Sequence, residues 1–303
     1  MQACRPFLNL PTQPLTTTVS KKHLMQTSFS PMTHDLPGRN KHLNNCTIKM
    51  NLSFDPKLAE IYTSASQKAR VLTEDWVLKE VYCPSCGGPV HDYCNNKPVA
   101  DFYCKGCIED FELKSKKGRF GKKVASGAYS RMIERIISAE RPNFFFMGHL
   151  NTLRVKDFFV IPKHFFVSGI IEERRPLAAT ARRSGWVGSN ILFSRIPRAG
   201  RVSYVENGQV IPKGEVLGKW QKTVFLKKLK KPDAKGWILE IMNCIDALNK
   251  KEFTLSEVYS FEKDLKAIHP ENRNIKPKIR QQLQFLRNNG YLQFVGNGVY
   301  RLA

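Results

Sequence analysis

The 303-residue sequence predicts a mixed α/β and α+β protein in two parts. The first is a core with a buried sheet and an embedded four-cysteine site; the second is a C-terminal winged helix. Three observations carry this. NFFFMGHL (143–150) and VKDFFVIPKHFF (155–166) are too apolar for anything but central strands, and an amphipathic helix, GAYSRMIERIISAERP (127–142), precedes them. Two Cys-x-x-Cys pairs lie ahead of that helix. The last seventy or so residues read as three helices and a hairpin.

Taken in order, residues 1–49 are rich in Thr, Ser, Asn, His and Pro and contain one acid, Asp35. They show neither strand nor helix periodicity, so we expect a disordered tail or an over-extended start ahead of Met50. From Asp55 to Tyr82 the pattern is helical, with Leu58, Ile61, Tyr62, Leu72 and Trp76 as apolar positions. Residues 82–114 read as a ligand loop and a β-hairpin. After Phe166 comes a basic irregular region with ERRPLAATARRSGWVGSNILF, then a Lys-rich linker, QKTVFLKKLKKPDAKG. The expected domains are 50–225 for the core and 226–303 for the winged helix.

In the second domain WILEIMNCIDAL forms one helix and FTLSEVYSFEKDLKAI another, opened by Thr254 as a cap with Glu257 three residues on. NIKPKIRQQLQFLRNNG forms the third, with Ile275, Ile279, Leu283 and Leu286 on one face and Gly290 as its stop. YLQFVGNGVYRL makes two strands around Gly296-Asn297-Gly298. A winged helix lays its third helix in a DNA groove, and here Lys276, Lys278, Gln281, Gln282 and Gln284 point away from the apolar face.

The formal charge of +23 favours a polyanionic partner, nucleic acid first, although an acidic membrane surface or a ribosome would meet it equally. No apolar run reaches the roughly 20 residues of a membrane span. Cys83-Pro-Ser-Cys86 and Cys104-Lys-Gly-Cys107 have the spacing of tetrahedral thiolate coordination, and four cysteines close the site to substrate, so we expect a structural zinc. Cys4, Cys46, Cys94 and Cys244 read as ordinary thiols, Cys94 as a spectator inside the zinc loop.

The acids form a second constellation. Val99–Tyr103 and Ile108–Lys114 flank the second cysteine pair and read as the strands of an antiparallel hairpin. If Cys104 pairs with Cys107, Asp101 faces residue 110, and Asp110, Glu112 and Lys114 alternate onto the same side. Carboxylates gathered in this way bind magnesium, which offsets phosphate charge and acidifies water, while a lysine orients or deprotonates that water. Glu-x-Lys also arises by chance in a chain that is 25% charged, so the pattern alone is weak. A non-catalytic regulator, a zinc ribbon with a winged helix, is the competing reading.

SQKARVLTEDW, the CPSCGG…NNKPVADFYC…FELKSKKG block, PLAATARRSGWVGSNI, GWILEIMNCIDALN and KIRQQLQFLRNNG together resemble the DpnI family of methyl-directed type II restriction endonucleases, from Phe54 to Leu302. The resemblance implies a PD-(D/E)xK nuclease core with a winged helix. It implies magnesium-dependent cleavage, to blunt ends, of double-stranded GATC sites carrying N6-methyladenine, by a cytoplasmic bacterial enzyme acting as a monomer. On this resemblance Asp101, Glu112 and Lys114 are catalytic, the first two hold magnesium, and Cys83, Cys86, Cys104 and Cys107 hold zinc. Trp186 would meet the methylated bases, its indole packing a methyl group in the major groove. Arg182 and Arg183 would serve phosphates or guanine edges.

Overall fold

The computed structural model describes residues 50–93, 100–138, 141–229 and 231–303. The readings made for residues 1–49, Cys94, Pro98 and Val99 lie outside them.

The chain begins with Met50, Leu52 and Phe54 buried and then makes a 3-10 turn, Pro56–Ala59, capped by Asp55. The helix expected from Asp55 to Tyr82 is broken here, since Ser64 is extended and Ile61 is 83% exposed. Helix α1 (Ala65–Glu80) follows and buries Leu72, Thr73, Trp76 and Val77, one stripe at helical spacing. The Trp76 indole also donates to Asn51 O at 2.6 Å, so the buried ring keeps a polar partner.

Next come β1 (His91–Asp92), β2 (Phe102–Tyr103), β3 (Asp110–Lys117), β4 (Lys123–Ala128), helix α2 (Tyr129–Ile137), β5 (Asn143–His149) and β6 (Val155–Ile161). The continuation PKHFF is a 3-10 turn, not strand. Pro162 has no N–H for the ladder, and the chain folds back to bury Phe165 and Phe166. Then follow β7 (Ile171–Glu173), β8 (Gly188–Leu192), β9 (Val202–Glu206), β10 (Gln209–Val210) and helix α3 (Lys213–Gln221).

A seven-stranded sheet runs in the order β1-β2-β3-β5-β6-β9-β10. Its pairs are antiparallel except β3 with β5. A parallel pair needs a crossover, and β4 with α2 provides it. The pairing is therefore mixed, as expected. β4 leaves the large sheet to form a small one in the order β4-β8-β7.

The pleat sends β3 and β5 side chains to two cores. Phe111 stacks on Phe145 at 4.5 Å within the cluster that holds α1 and α3. Phe144 and Phe146, paired with Glu112 and Lys114, enter the other, which α2 covers through Met132 and Ile136. That second cluster continues through Phe225 and Leu226 into Trp237, Ile241 and Leu286, so one apolar core joins the two parts. The Lys-rich linker is packed rather than free, because Phe225 and Leu226 dip inward as a 3-10 turn.

The C-terminal part consists of α4 (Pro232–Leu248), β11 (Glu252–Thr254), α5 (Leu255–Tyr259), α6 (Glu262–Ile268), α7 (Ile275–Asn288), β12 (Leu292–Gly296) and β13 (Val299–Leu302). Thr254 and Glu257 form the expected reciprocal cap. Two expectations change. The second helix is split at Ser260–Phe261, and Glu252–Thr254 adds a third strand, giving the order β11-β13-β12. On α7, Ile275, Ile279, Leu283 and Leu286 are buried, and Gly290 takes the left-handed backbone that stops the helix.

Candidate active site and zinc centre

The two cysteine pairs make the same knuckle twice. Cys83 O accepts the Gly87 amide at 2.8 Å and Cys104 O accepts the Ile108 amide at 3.0 Å. Cys83 N donates to Gly88 O and Cys104 N to Glu109 O, one residue further on in each case. Each knuckle turns on a positive φ, 76° at Gly87 and 57° at Ile108. The four sulfurs lie within 4.8 Å of one another, and the short approaches run between knuckles, Cys83 to Cys107 and Cys86 to Cys104 at 3.4 Å. That is too long for disulfides and suits sulfurs gathered round one ion. Burial pushes the Cys83 thiol well up, a cost that a bound cation offsets. The donor set fits zinc. Helix α3 supports the first knuckle from outside, with Lys213 Nζ donating to Gly87 O at 2.7 Å and Gln221 Nε2 to Ser85 O at 3.1 Å.

The second knuckle sets the register of the acids. Phe102 pairs with Phe111 and Tyr103 with Asp110, and Asp101, just ahead of β2, donates its N–H to Phe111 O at 2.9 Å. The sequence-based pairing placed Asp101 opposite residue 110. The ladder at Phe102 and Tyr103 is shifted by two residues from that pairing, because the Cys104 carbonyl is spent on Ile108 and the ladder starts at Glu109. A shift of two keeps Glu112 and Lys114 on one face, and Asp101 comes beside them through the Leu113 amide.

Within this group Asp101 Oδ2 accepts the Leu113 amide at 2.7 Å. Burial, then the neighbouring Glu112 and Glu74, push the Asp101 carboxyl above its ordinary range against the pull of that amide and of Lys114. Glu112 is held at both oxygens, Oε1 by Lys114 Nζ at 2.9 Å and Oε2 by Arg135 Nη1 at 2.8 Å. Lys114 Nζ also sits 5.4 Å from the Phe144 ring centroid. Two half-buried carboxylates across one strand pair are hard oxygen donors, and they fit a magnesium ion.

Arg135, on α2, and Glu109 were not singled out in the sequence. Glu109 is buried where β3 begins, between Lys227 Nζ at 2.6 Å, Lys163 Nζ at 3.0 Å and Asn143 Nδ2 at 3.0 Å. Burial pushes its carboxyl up, but these partners hold it down at about 2. It ties the acid-bearing strand to the segment that leads into α4. No local pattern marks either residue, because their partners are far away in sequence.

Trp186 lies in the loop between β7 and β8. It belongs to neither apolar core, unlike Trp76 and Trp237, which are buried as their helical patterns imply. The loop closes on itself: Leu177 N donates to Trp186 O at 3.0 Å and Gly185 N to Leu177 O at 3.1 Å. The indole lies close against Gly188, where a Cβ would lie 2.8 Å from the ring. Arg182 and Arg183 are exposed on the same loop.

On α7, Lys276, Gln281 and Gln284 are exposed and Lys278 half-buried, its Nζ 5.7 Å from the Trp237 ring and donating to Gln281. Gln282 does not face outward as expected. It is buried beside Leu283, one position off the exposed stripe. Arg280 is exposed and completes an i, i+4 row with Lys276 and Gln284. No helix among the described residues is long and apolar enough to cross a membrane.

Comparison with known families gives two matches. The family described as DpnI, the Dam-replacing family, matches residues 50–229, and the Dam-replacing HTH domain matches residues 233–302. The first takes in both cysteine knuckles, Asp101, Glu112, Lys114, Arg135 and the Trp186 loop; the second takes in α4 to β13.

Proposed function

The chain belongs to the DpnI, or Dam-replacing, family of methyl-dependent, restriction-type DNA-binding enzymes, and from that premise we propose that it is a PD-(D/E)xK endonuclease. It cuts both strands of GATC sites that carry N6-methyladenine, leaving blunt ends, and works in the bacterial cytoplasm as a monomer. The observation that carries this is Asp101, bonded to the Leu113 amide, beside Glu112 and Lys114, with Lys114 ion-paired to Glu112 at 2.9 Å. A regulator that only binds DNA has no use for carboxylates gathered on a phosphate-facing surface.

Asp101 and Glu112 would hold magnesium, which supplies charge stabilisation at the scissile phosphate when bound. Lys114 orients the attacking water and steadies the charge that grows on the phosphate oxygens. Water adds to phosphorus, the P–O3′ bond breaks, and the 3′ oxygen leaves with a proton from solvent. Cys83, Cys86, Cys104 and Cys107 would hold zinc, which would fix the register of the hairpin that carries the acids. Trp186 supplies an apolar face for the adenine methyl group, and Arg182 and Arg183 hold the DNA beside it. Lys276, Lys278, Gln281 and Gln284 on α7 enter a groove of the duplex.

The test is digestion of one plasmid prepared with and without adenine methylation. Magnesium-dependent cutting of the methylated form alone is expected, and Trp186→Ala should lose the preference. Equal cutting of both forms by the unaltered protein would remove the methyl-reading role. Specific binding with no cutting of either form would return the chain to the regulator reading.

A further inference from the structure

The two oxygens of Glu112 are taken by cations from two different elements. Lys114 reaches Oε1 from two residues along the same strand, so its distance is fixed by the pleat. Arg135 reaches Oε2 from α2, whose place is set by the buried Met132 and Ile136 rather than by the ion pair. The Arg135 side chain is 31% exposed, against 18% for Glu112, so it is the more solvent-accessible partner of the pair. If Glu112 needed only neutralisation, Lys114 would suffice. Among the described residues no side-chain cation is hydrogen-bonded to Asp101, which takes only the Leu113 amide.

Counting formal charges, Asp101 and Glu112 are balanced by Lys114 and Arg135. A divalent cation added to this set leaves an excess of two positive charges. The arrival of a phosphate diester removes one, and a guanidinium that leaves Glu112 for that phosphate frees a carboxylate oxygen as well. Arg135 is built for the exchange, since its planar fork matches carboxylate and phosphate alike.

We infer that Arg135 is a positioning residue that occupies Glu112 in the metal-free protein and passes to the DNA phosphate when cation and substrate bind together. It thereby holds cation affinity low until DNA is present. The inference rests on the assignment of Asp101 and Glu112 as the cation ligands.

Binding of Mn²⁺ to the DNA-free full chain, counted as free Mn²⁺ by electron paramagnetic resonance, tests it without reference to cleavage. Arg135→Gln should tighten Mn²⁺ binding on the order of tenfold, because the competing cation is gone, while Arg135→Lys stays near the unaltered protein. In cleavage of methylated duplex, Arg135→Gln should lower kcat with little change in KM, and Arg135→Lys should recover part of kcat. Mn²⁺ binding by Arg135→Gln no tighter than that of the unaltered protein would overturn the inference, since Arg135 would then only brace Glu112. Asp101→Asn separates the two levels: it should abolish the Mn²⁺ site with or without Arg135. If the site persists in Asp101→Asn, the ligand assignment itself fails, and the inference with it.

Discussion

Asp101 and Glu112 are neighbouring carboxylates at the β2–β3 hairpin, with the Asp101 carboxylate tied to the amide of Leu113 at 2.7 Å and its pKa pushed up by burial and by Glu112. Like charges brought side by side between strands oppose pairing, by up to about 1 kcal/mol. Asparagine keeps the shape and the acceptor for the Leu113 amide and removes the charge. Asp101→Asn is therefore expected to abolish cleavage while raising the Tm of the magnesium-free, zinc-loaded protein by about 1–3 °C. Calorimetry of the zinc-loaded protein without magnesium, beside a plasmid digest, measures both. A variant that cuts DNA normally would end the catalytic assignment of Asp101.

Ile108 occupies in the second knuckle the place that Gly87 occupies in the first, at φ 57° and with 85% of its surface exposed. A β-branched residue in the left-handed region is strained, by about 1–3 kcal/mol, and its exposed side chain recovers little by packing. Ile108→Gly should stabilise the zinc-loaded protein by about 1 kcal/mol after the added backbone entropy of glycine is offset. Zinc content should be unchanged, whereas Cys104→Ser should lose the metal and the sharp unfolding transition with it. A fall in stability for Ile108→Gly would show that the isoleucine is held there by something other than the turn.

Lys276, Arg280 and Gln284 form one exposed row on α7, the helix proposed to enter the DNA groove. Lys276 is also paired with Glu262 at 3.3 Å, so its charge is shared before DNA arrives, while Arg280 extends from the middle of the row. Each lysine or arginine that contacts a phosphate steepens the salt dependence of binding by about one unit of log–log slope. Arg280→Ala should lower that slope by about 1, with uncleaved duplex titrated in the absence of magnesium. An unchanged slope and affinity would place α7 away from the DNA.

What the sequence reveals of this protein is what short-range pattern controls. The Cys-x-x-Cys pairs, the Phe-rich strands and the Thr254–Glu257 cap each depend on residues a few positions apart, and each forms as read. The helix break at Ser260–Phe261 and the Pro162 turn depend on where side chains find a core, which local periodicity does not report. The hairpin register was misread by two because the knuckle uses the Cys104 carbonyl for its own turn. Faces survive such a shift, so Glu112 and Lys114 share a side under either pairing. Arg135 and Glu109 were invisible because their partners come from other elements. A charge in a basic chain carries no local mark of being buried against one distant carboxylate.

His164 is 1% exposed and gives the fold an acid-sensitive point. The Thr223 hydroxyl donates to Trp220 O at 2.7 Å, so it must accept from His164 Nε2, which lies 2.9 Å away. Nδ1 then carries no proton, and it has no hydrogen-bond partner. Burial first, then Lys227, Lys235 and Arg141, lower the His164 pKa to about 3, against a smaller opposing pull from Glu109. Because the folded pKa is below the unfolded value of about 6.5, the unfolded chain binds the extra proton as pH falls. His164 thus costs no stability above about pH 6.5, and below it stability falls by up to about 1.4 kcal/mol per pH unit until about pH 3. Phenylalanine fits the shape, loses the Thr223 contact and cannot titrate. His164→Phe should therefore be less stable than the unaltered protein by about 1 kcal/mol at pH 7.5 and more stable at pH 5.0. Urea unfolding at the two pH values measures the crossing, and an equal difference at both would mean that His164 is not the group whose protonation weakens the fold.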